Sequence, residues 1–232
     1  MLGLLQIFYD PAKVFARVRE KGIWLIPFLA VSLTIMTTVA ITVNLIGMEN
    51  MTRKQLESNP KLAEQIGPEK LDKIIRDSDT PARKALACVA GGAGGAFYLL
   101  LIAGIFTGLL SLMSGTAKFK QVLGASSYAL FPFSVLTCLM STLIILLSND
   151  RSELNLRNLI ALNPGAFLDK ETTGKSLYSV ASSLDLLSFG QIAMLAYGLS
   201  KVSGVPLTKC VMMILALWAI YVLGKAGVAA IF

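Results

Sequence analysis

The chain contains five apolar runs that are too long for strands and too continuous for the inner faces of soluble helices. They cover about residues 23–46, 85–113, 122–147, 182–200 and 208–226. At ~1.5 Å of rise per residue, ~20 helical residues cross the ~30 Å of hydrocarbon in a bilayer. Backbone polar groups in hydrocarbon must pair within their own segment, so runs of this length fold as helices. The pattern predicts an all-α, polytopic integral membrane protein with five transmembrane helices and short interfacial helices between them. Charge content agrees: 15% of the 232 residues are charged, against roughly 25% in a soluble domain.

The last two runs read as a helical hairpin. Its turn, Lys201 to Pro206, has Gly204 to end one helix and Pro206 near the start of the next. Asp185 and Lys225 lie twenty residues either side of residue 205. In a tight antiparallel hairpin they share a level, which makes them a candidate intramembrane ion pair; the alternative is that each snorkels separately to the headgroups. Gln191 and Tyr197 are further polar groups expected inside the bundle.

The second run, 85–113, carries two pairs of glycines four apart, Gly91/Gly95 and Gly104/Gly108. Small residues at that spacing let helix backbones approach closely. At ~100° per residue the two pairs face nearly opposite sides of the helix. They are candidate helix-packing residues and predict a central second span with neighbours on both faces. The glycine-rich run is not a phosphate loop, because neither a preceding strand nor a following Lys-Ser/Thr accompanies it. In the third run Pro132 predicts a kink. Ser126, Ser127, Ser134, Thr137, Ser141 and Thr142 are expected to bond back within that helix or across to a neighbour.

Residues 1–22 stand apart as a basic amphipathic segment. Asp10–Pro11 reads as an N-cap followed by proline in the first turn, and Val14, Phe15 and Val18 line one face. This helix suits either the headgroup layer or a place against the bundle. Residues 23–232 form the membrane domain. Within it, the polar segment 48–84 predicts two short helices broken at Gly67–Pro68, with Leu62, Ile66, Leu71, Ile74 and Ile75 as apolar faces. The segment 148–181 predicts an amphipathic turn or two and a tight turn at Asn163–Pro164–Gly165.

Orientation follows from the short connections. Residues 114–121 and 201–209 each carry two Lys and no acid, and residues 1–22 carry four basic residues against two acids. With five spans these three segments fall on one side, which the positive-inside rule makes cytoplasmic. The N-terminus is then cytoplasmic and the C-terminus outside.

Several function classes are excluded. No histidine is present, which removes His-based triads, HExxH zinc sites and imidazole relays. Cys88, Cys138 and Cys210 form no CxxC pair and read as packing residues. The net charge of +7 comes from bases that flank apolar runs and mix with acids. Anionic lipid headgroups are therefore the expected partner, and nucleic acid is not. A rhomboid-like GxSG and a paired-Glu motif are absent, so no catalytic, cofactor or metal residues are assigned.

The stretch 184–227, with Asp185, Gly198–Leu199, Gly204 and Trp218, resembles the C-terminal signature of prokaryotic members of the Yip-domain family (Ypt/Rab-interacting proteins). The pieces DPAKVF, IWLIPFLA, the glycine-rich second span and SSYALFPFSVL resemble the rest of that domain. The resemblance implies a five-helix membrane domain with no known catalytic chemistry, placed in a prokaryotic inner membrane. Eukaryotic members associate with Rab-type GTPases and with each other. Only about 22 residues precede the first span here, in place of their long soluble N-terminal region, so a Rab-type GTPase is not an expected partner. The expected function is a non-enzymatic membrane scaffold or adaptor acting through helix–helix and lipid contacts, on itself or on other membrane proteins. The alternative is a small-solute or lipid transporter or channel, motivated by Asp185, Gln191, Tyr197 and Lys225.

Overall fold

The computed structural model describes residues 2–57, 66–151, 154–169 and 172–231. Among these every regular element is helical. In chain order they are α1 (Leu2–Gln6), α2 (Pro11–Lys21), α3 (Leu25–Ile46), α4 (Met48–Glu57), α5 (Pro68–Ser78), α6 (Pro81–Leu112), α7 (Phe119–Leu147), α8 (Lys175–Ala181), α9 (Leu186–Ser203) and α10 (Leu207–Ile231). Two 3₁₀ turns, Leu156–Asn158 and Pro164–Phe167, lie between α7 and α8.

Four of these helices, α3, α6, α7 and α10, are each long and apolar enough to cross a membrane, with mean hydropathy of 2.0 to 2.3. The fourth expected span is not one continuous helix but a broken span or a re-entrant pair. It consists of α8 and α9, bent by 52° at residues 182–185. The expected continuous run from Ser182 fails there for a local reason. Asp185 accepts hydrogen bonds from the backbone N–H groups of Leu187 and Ser188, at 2.8 and 3.2 Å. An Asp that caps a new helix cannot also sit inside the old one.

The helix ends follow the chemistry of their residues. Asp10 accepts from Lys13 N at 3.2 Å with Pro11 following it, and Gly22 closes α2 in the left-handed region at φ 61°. Thr80 accepts from Arg83 N ahead of Pro81 at the start of α6. Gly67, at φ 79°, precedes Pro68 at the start of α5, where the break between two short helices was expected. Ile75 of α5 is buried and Ile74 is largely exposed; Leu62 lies outside the described residues.

The bundle is organised on α7. It packs against α2, α3, α6 and α9, and its residues 122–130 are buried without interruption. A helix with neighbours all round must be apolar or small all round, and VLGASSYAL meets that condition. The second span, α6, packs on α3 and α7 and is not the centre. Helix α7 passes through Pro132 as one element. In it Ser127, Ser134, Ser141 and Thr142 donate to carbonyls of the same helix.

Helix α2 is docked on the bundle. Val14, Phe15 and Val18 are buried in the same core cluster as the spans, so residues 1–22 share the core of the membrane domain. Gly198 of α9 makes room for this contact: a Cβ there would lie 2.7 Å from the Phe15 ring. The outer faces of the spans are apolar instead of polar, with Phe97, Leu101, Leu112, Leu139, Leu143, Ile220 and Leu223 all exposed. A protein in water buries such a surface, whereas hydrocarbon solvates it.

Candidate functional site

The two ends of the bundle differ in character. At one end Thr116 N donates to Ser203 O at 3.1 Å, and the Gln121 amide donates to Arg19 O. These bonds gather the end of α2, the 113–118 connection and the 204–206 turn. At the other end Lys54 donates to Leu154 O at 2.5 Å, Arg151 to Leu45 O at 3.3 Å, and Leu186 N to Leu162 O at 3.2 Å. Ser176 reaches Ala226 O at 3.1 Å, so α8 lies against the far part of α10. The short basic connections share one end and both long polar segments the other. Asp79 ties the polar end together, accepting from Met48 N at 2.9 Å and from Lys84 at 3.0 Å. The hydrogen bond from Lys84, and then that from Met48, hold its carboxyl below the usual carboxylate range.

Asp185 and Lys225 are not an ion pair. Among the described residues the ion pairs are Arg53–Glu49 and Lys84–Asp79. Lys225 instead donates to the Ser183 hydroxyl at 3.2 Å, and Asp185 turns its Oδ1 to the first turn of α9. The partner of Lys225 lies two residues before Asp185, close to the level expected from equal distances to the turn. The break at 182–185 decided the rest: it gives the carboxylate backbone donors and offers the ammonium a hydroxyl. Tyr197 packs edge-on against Phe15, with ring centroids 5.8 Å apart, and Lys201 lies 5.4 Å from its centroid. It therefore helps seat α2 at the basic end and is remote from Asp185.

The two glycine pairs separate. A Cβ at Gly91 would lie 2.7 Å from Val39 Cγ2, and one at Gly95 would lie 2.5 Å from Ile35 Cδ1. Helix α3 therefore packs its Val39 and Ile35 side chains directly onto these two glycines of α6. A Cβ at Gly104 or Gly108 would meet nothing within 4 Å. These two are exposed on the outer face of α6, beside Leu101, Ile105 and Leu112.

Two cavities open near Gln191, and they share a wall. The first, of about 530 Å³, lies between α6 and α10 over α7 and α9. Ile102, Phe106, Leu130, Leu195, Ile214 and Leu217 make it apolar, and Tyr98, Ile105 and Tyr221 at its margin are exposed. The second, of about 490 Å³, lies at the polar end between α3, α7, the start of α9 and the chain from the first 3₁₀ turn to Asn163. Its lining is mixed: Thr38, Thr42, Thr137, Ser141, Asn158, Asn163, Ser182 and Asp185 supply polar groups, and Met51, Leu156, Leu159, Ile160 and Leu187 supply apolar ones. Ser188 and Gln191 line both. Sequence reading singled out Gln191 and Asp185 but missed Thr38, Thr42, Asn158 and Asn163. The pairs Thr38/Thr42 and Thr137/Ser141 have i, i+4 spacing, so each pair shares a helix face. That the two faces look at one another is a tertiary fact with no local signal.

A comparison with curated proteins found no match, and a comparison with solved structures found none either. A family model described as the Yip1 domain matches residues 5–228. That match spans α2, every membrane-crossing helix and both polar segments, and the resemblance drawn from the 184–227 stretch is thereby established: the chain is a multi-pass membrane protein of the Yip1 domain family.

Proposed function

We propose that this protein is a non-enzymatic membrane scaffold or adaptor that works through helix–helix and lipid contacts. One observation carries the reading: Gly104 and Gly108 lie on the outer face of α6, with room for a neighbour and none from their own bundle. The first glycine pair of the same helix is occupied by α3, an internal example of the contact the second pair offers. A small-residue face in hydrocarbon favours another helix, because close backbone approach gains dispersion contact that lipid tails do not match. The partner is a second copy of this chain or another membrane protein. The basic end, with the N-terminus, faces the cytoplasm and its anionic lipids in a cell membrane.

The test is association in lipid. The full chain, labelled with donor and acceptor dyes and reconstituted in vesicles, is expected to show energy transfer that the pair Gly104→Leu and Gly108→Leu abolishes. Melting in detergent should stay at the parent value. A parent chain that neither self-associates nor cross-links to any membrane protein in cells would sink the scaffold reading. Solute flux through proteoliposomes would move the assignment to the transporter class.

A further inference from the structure

We propose that the paired cavities hold one membrane phospholipid with a primary-amine head, its acyl chain in the apolar cavity and its head against Asp185. This goes beyond the scaffold reading and is independent of it.

The second cavity is rich in acceptors, and its described lining carries no cation. Thr38, Thr42 and Ser141 each donate their hydroxyl proton to a carbonyl of their own helix, at 2.9, 2.8 and 2.5 Å. What such a hydroxyl then presents to the cavity is its lone pairs. Both capping bonds of Asp185 go to Oδ1, and among the described residues Oδ2 accepts no hydrogen bond and meets no cation. Among the described residues no Lys or Arg lines this cavity. A carboxylate that shares a cavity with several oxygen acceptors suits a group that brings positive charge and several N–H donors, and an alkylammonium has three.

The wall shared by the cavities supplies the next requirement. Ser188 Oγ and the Gln191 amide have no hydrogen-bond partner among the described residues. Both can donate, and both sit within two turns of Asp185 on α9. Below them Ile192 and Leu195 lead into the apolar cavity. Along α9 the order is thus carboxylate, free donors, hydrocarbon. An aminophospholipid has the matching order of ammonium, phosphate and acyl chain. Asp185 and Ser188 are about one helical turn apart, ~5 Å along the axis, comparable to the spacing of ammonium and phosphate across an ethylene link. The exposed margin at Tyr98, Ile105 and Tyr221 faces the bilayer, from which a lipid enters laterally.

The experiment is competitive retention by the purified full chain in mild detergent. Ethanolamine-, choline- and glycerol-headed phospholipids with identical acyl chains are offered in equal amounts, and bound lipid is counted by native mass spectrometry. Choline has the charge but no N–H; the glycerol head has hydroxyls but leaves the lipid anionic. The amine lipid should be retained about tenfold over either, the factor that ~1.4 kcal/mol produces. Asp185→Asn removes the charge while keeping a good helix cap, and should abolish the preference with melting near the parent value. Ile105→Trp should lower retention of all three lipids together by filling the apolar cavity. Equal retention of the three lipids by the parent overturns the proposal, as does a preference that survives Asp185→Asn. Should that variant not fold, Gln191→Leu decides: reduced retention of every phosphate-bearing lipid supports the site, and unchanged retention overturns it.

Discussion

Gly95 and Gly104 sit on one helix, each in a four-residue glycine pair, yet their neighbours make them different residues. A leucine at Gly95 must displace the end of Ile35, whose Cδ1 would be 2.5 Å from the new Cβ, and must fit its further carbons between α6 and α3. Gly95→Leu should destabilise by about 1–3 kcal/mol, the usual cost of overpacking, measured as a lower melting temperature in detergent. Gly104→Leu should melt like the parent, because nothing lies within 4 Å of the added carbon. Asp79 offers a second test at this scale. Its carboxyl is held below the usual range by Lys84 and Met48, so its charged form is favoured in the fold. That contribution is complete above the ordinary carboxylate range and is lost as pH falls through the lowered folded value. The melting temperature of the parent should therefore drop on acidification more than that of Asp79→Asn. The difference should shrink in high salt, because the site is exposed. An identical acid profile for the two proteins would remove Asp79 from the account of the polar end.

The hairpin of α9 and α10 shows what a sequence says about an element and where it stops. Gly204 was legible as the end of α9, and the structure gives it φ 76° with its N–H bonded to Ser200 O. Only a residue without a Cβ adopts that conformation freely, so Gly204→Ala should cost about 1 kcal/mol. The bend at the other end of α9 was not legible. Nothing in SSLDLLS separates an Asp inside a span from an Asp that caps one, since both readings place it beside apolar residues. Because Asp185 caps and Lys225 bonds to Ser183, Asp185→Asn and Lys225→Met should act independently. Their effects on melting, small for Asp185→Asn, should add to within about 0.5 kcal/mol in a double-mutant cycle. A double variant that recovers stability would restore the ion pair. For α2, Phe15→Ala would remove a fully buried ring from beside Gly198 and Tyr197. The expected cost is about 3–5 kcal/mol, read as detergent melting.

At the scale of the molecule, α3, α6, α7, the α8–α9 pair and α10 each run between a basic end and a polar end. If the α8–α9 pair counts as one span, the crossings number five and separate the termini. Reporters fused before Met1 and after Phe232 should therefore give opposite signals, with the cytoplasmic one at the N-terminus. Matching signals would mean that α8 and α9 re-enter on the side they left, a four-span protein with a re-entrant pair. The basic end is built from three separate pieces of chain, which the Thr116–Ser203 and Gln121–Arg19 bonds hold together. Its composition was legible from the short connections; its coherence as one face was not.

Membrane residence, the positions of the long apolar helices and the short connections could be read from the residues alone, though the break between α8 and α9 could not. Those follow from run length, hydropathy and local cap chemistry, all of which act between residues near one another in the chain. Which helix sits at the centre, which glycine pair meets a neighbour, and that Thr38, Thr137, Asn158 and Gln191 face common cavities were decided only by the tertiary structure. Each depends on the rotation of one helix against another. In hydrocarbon that rotation is set by close packing between apolar surfaces, and apolar residues of similar size look alike until their partners are known.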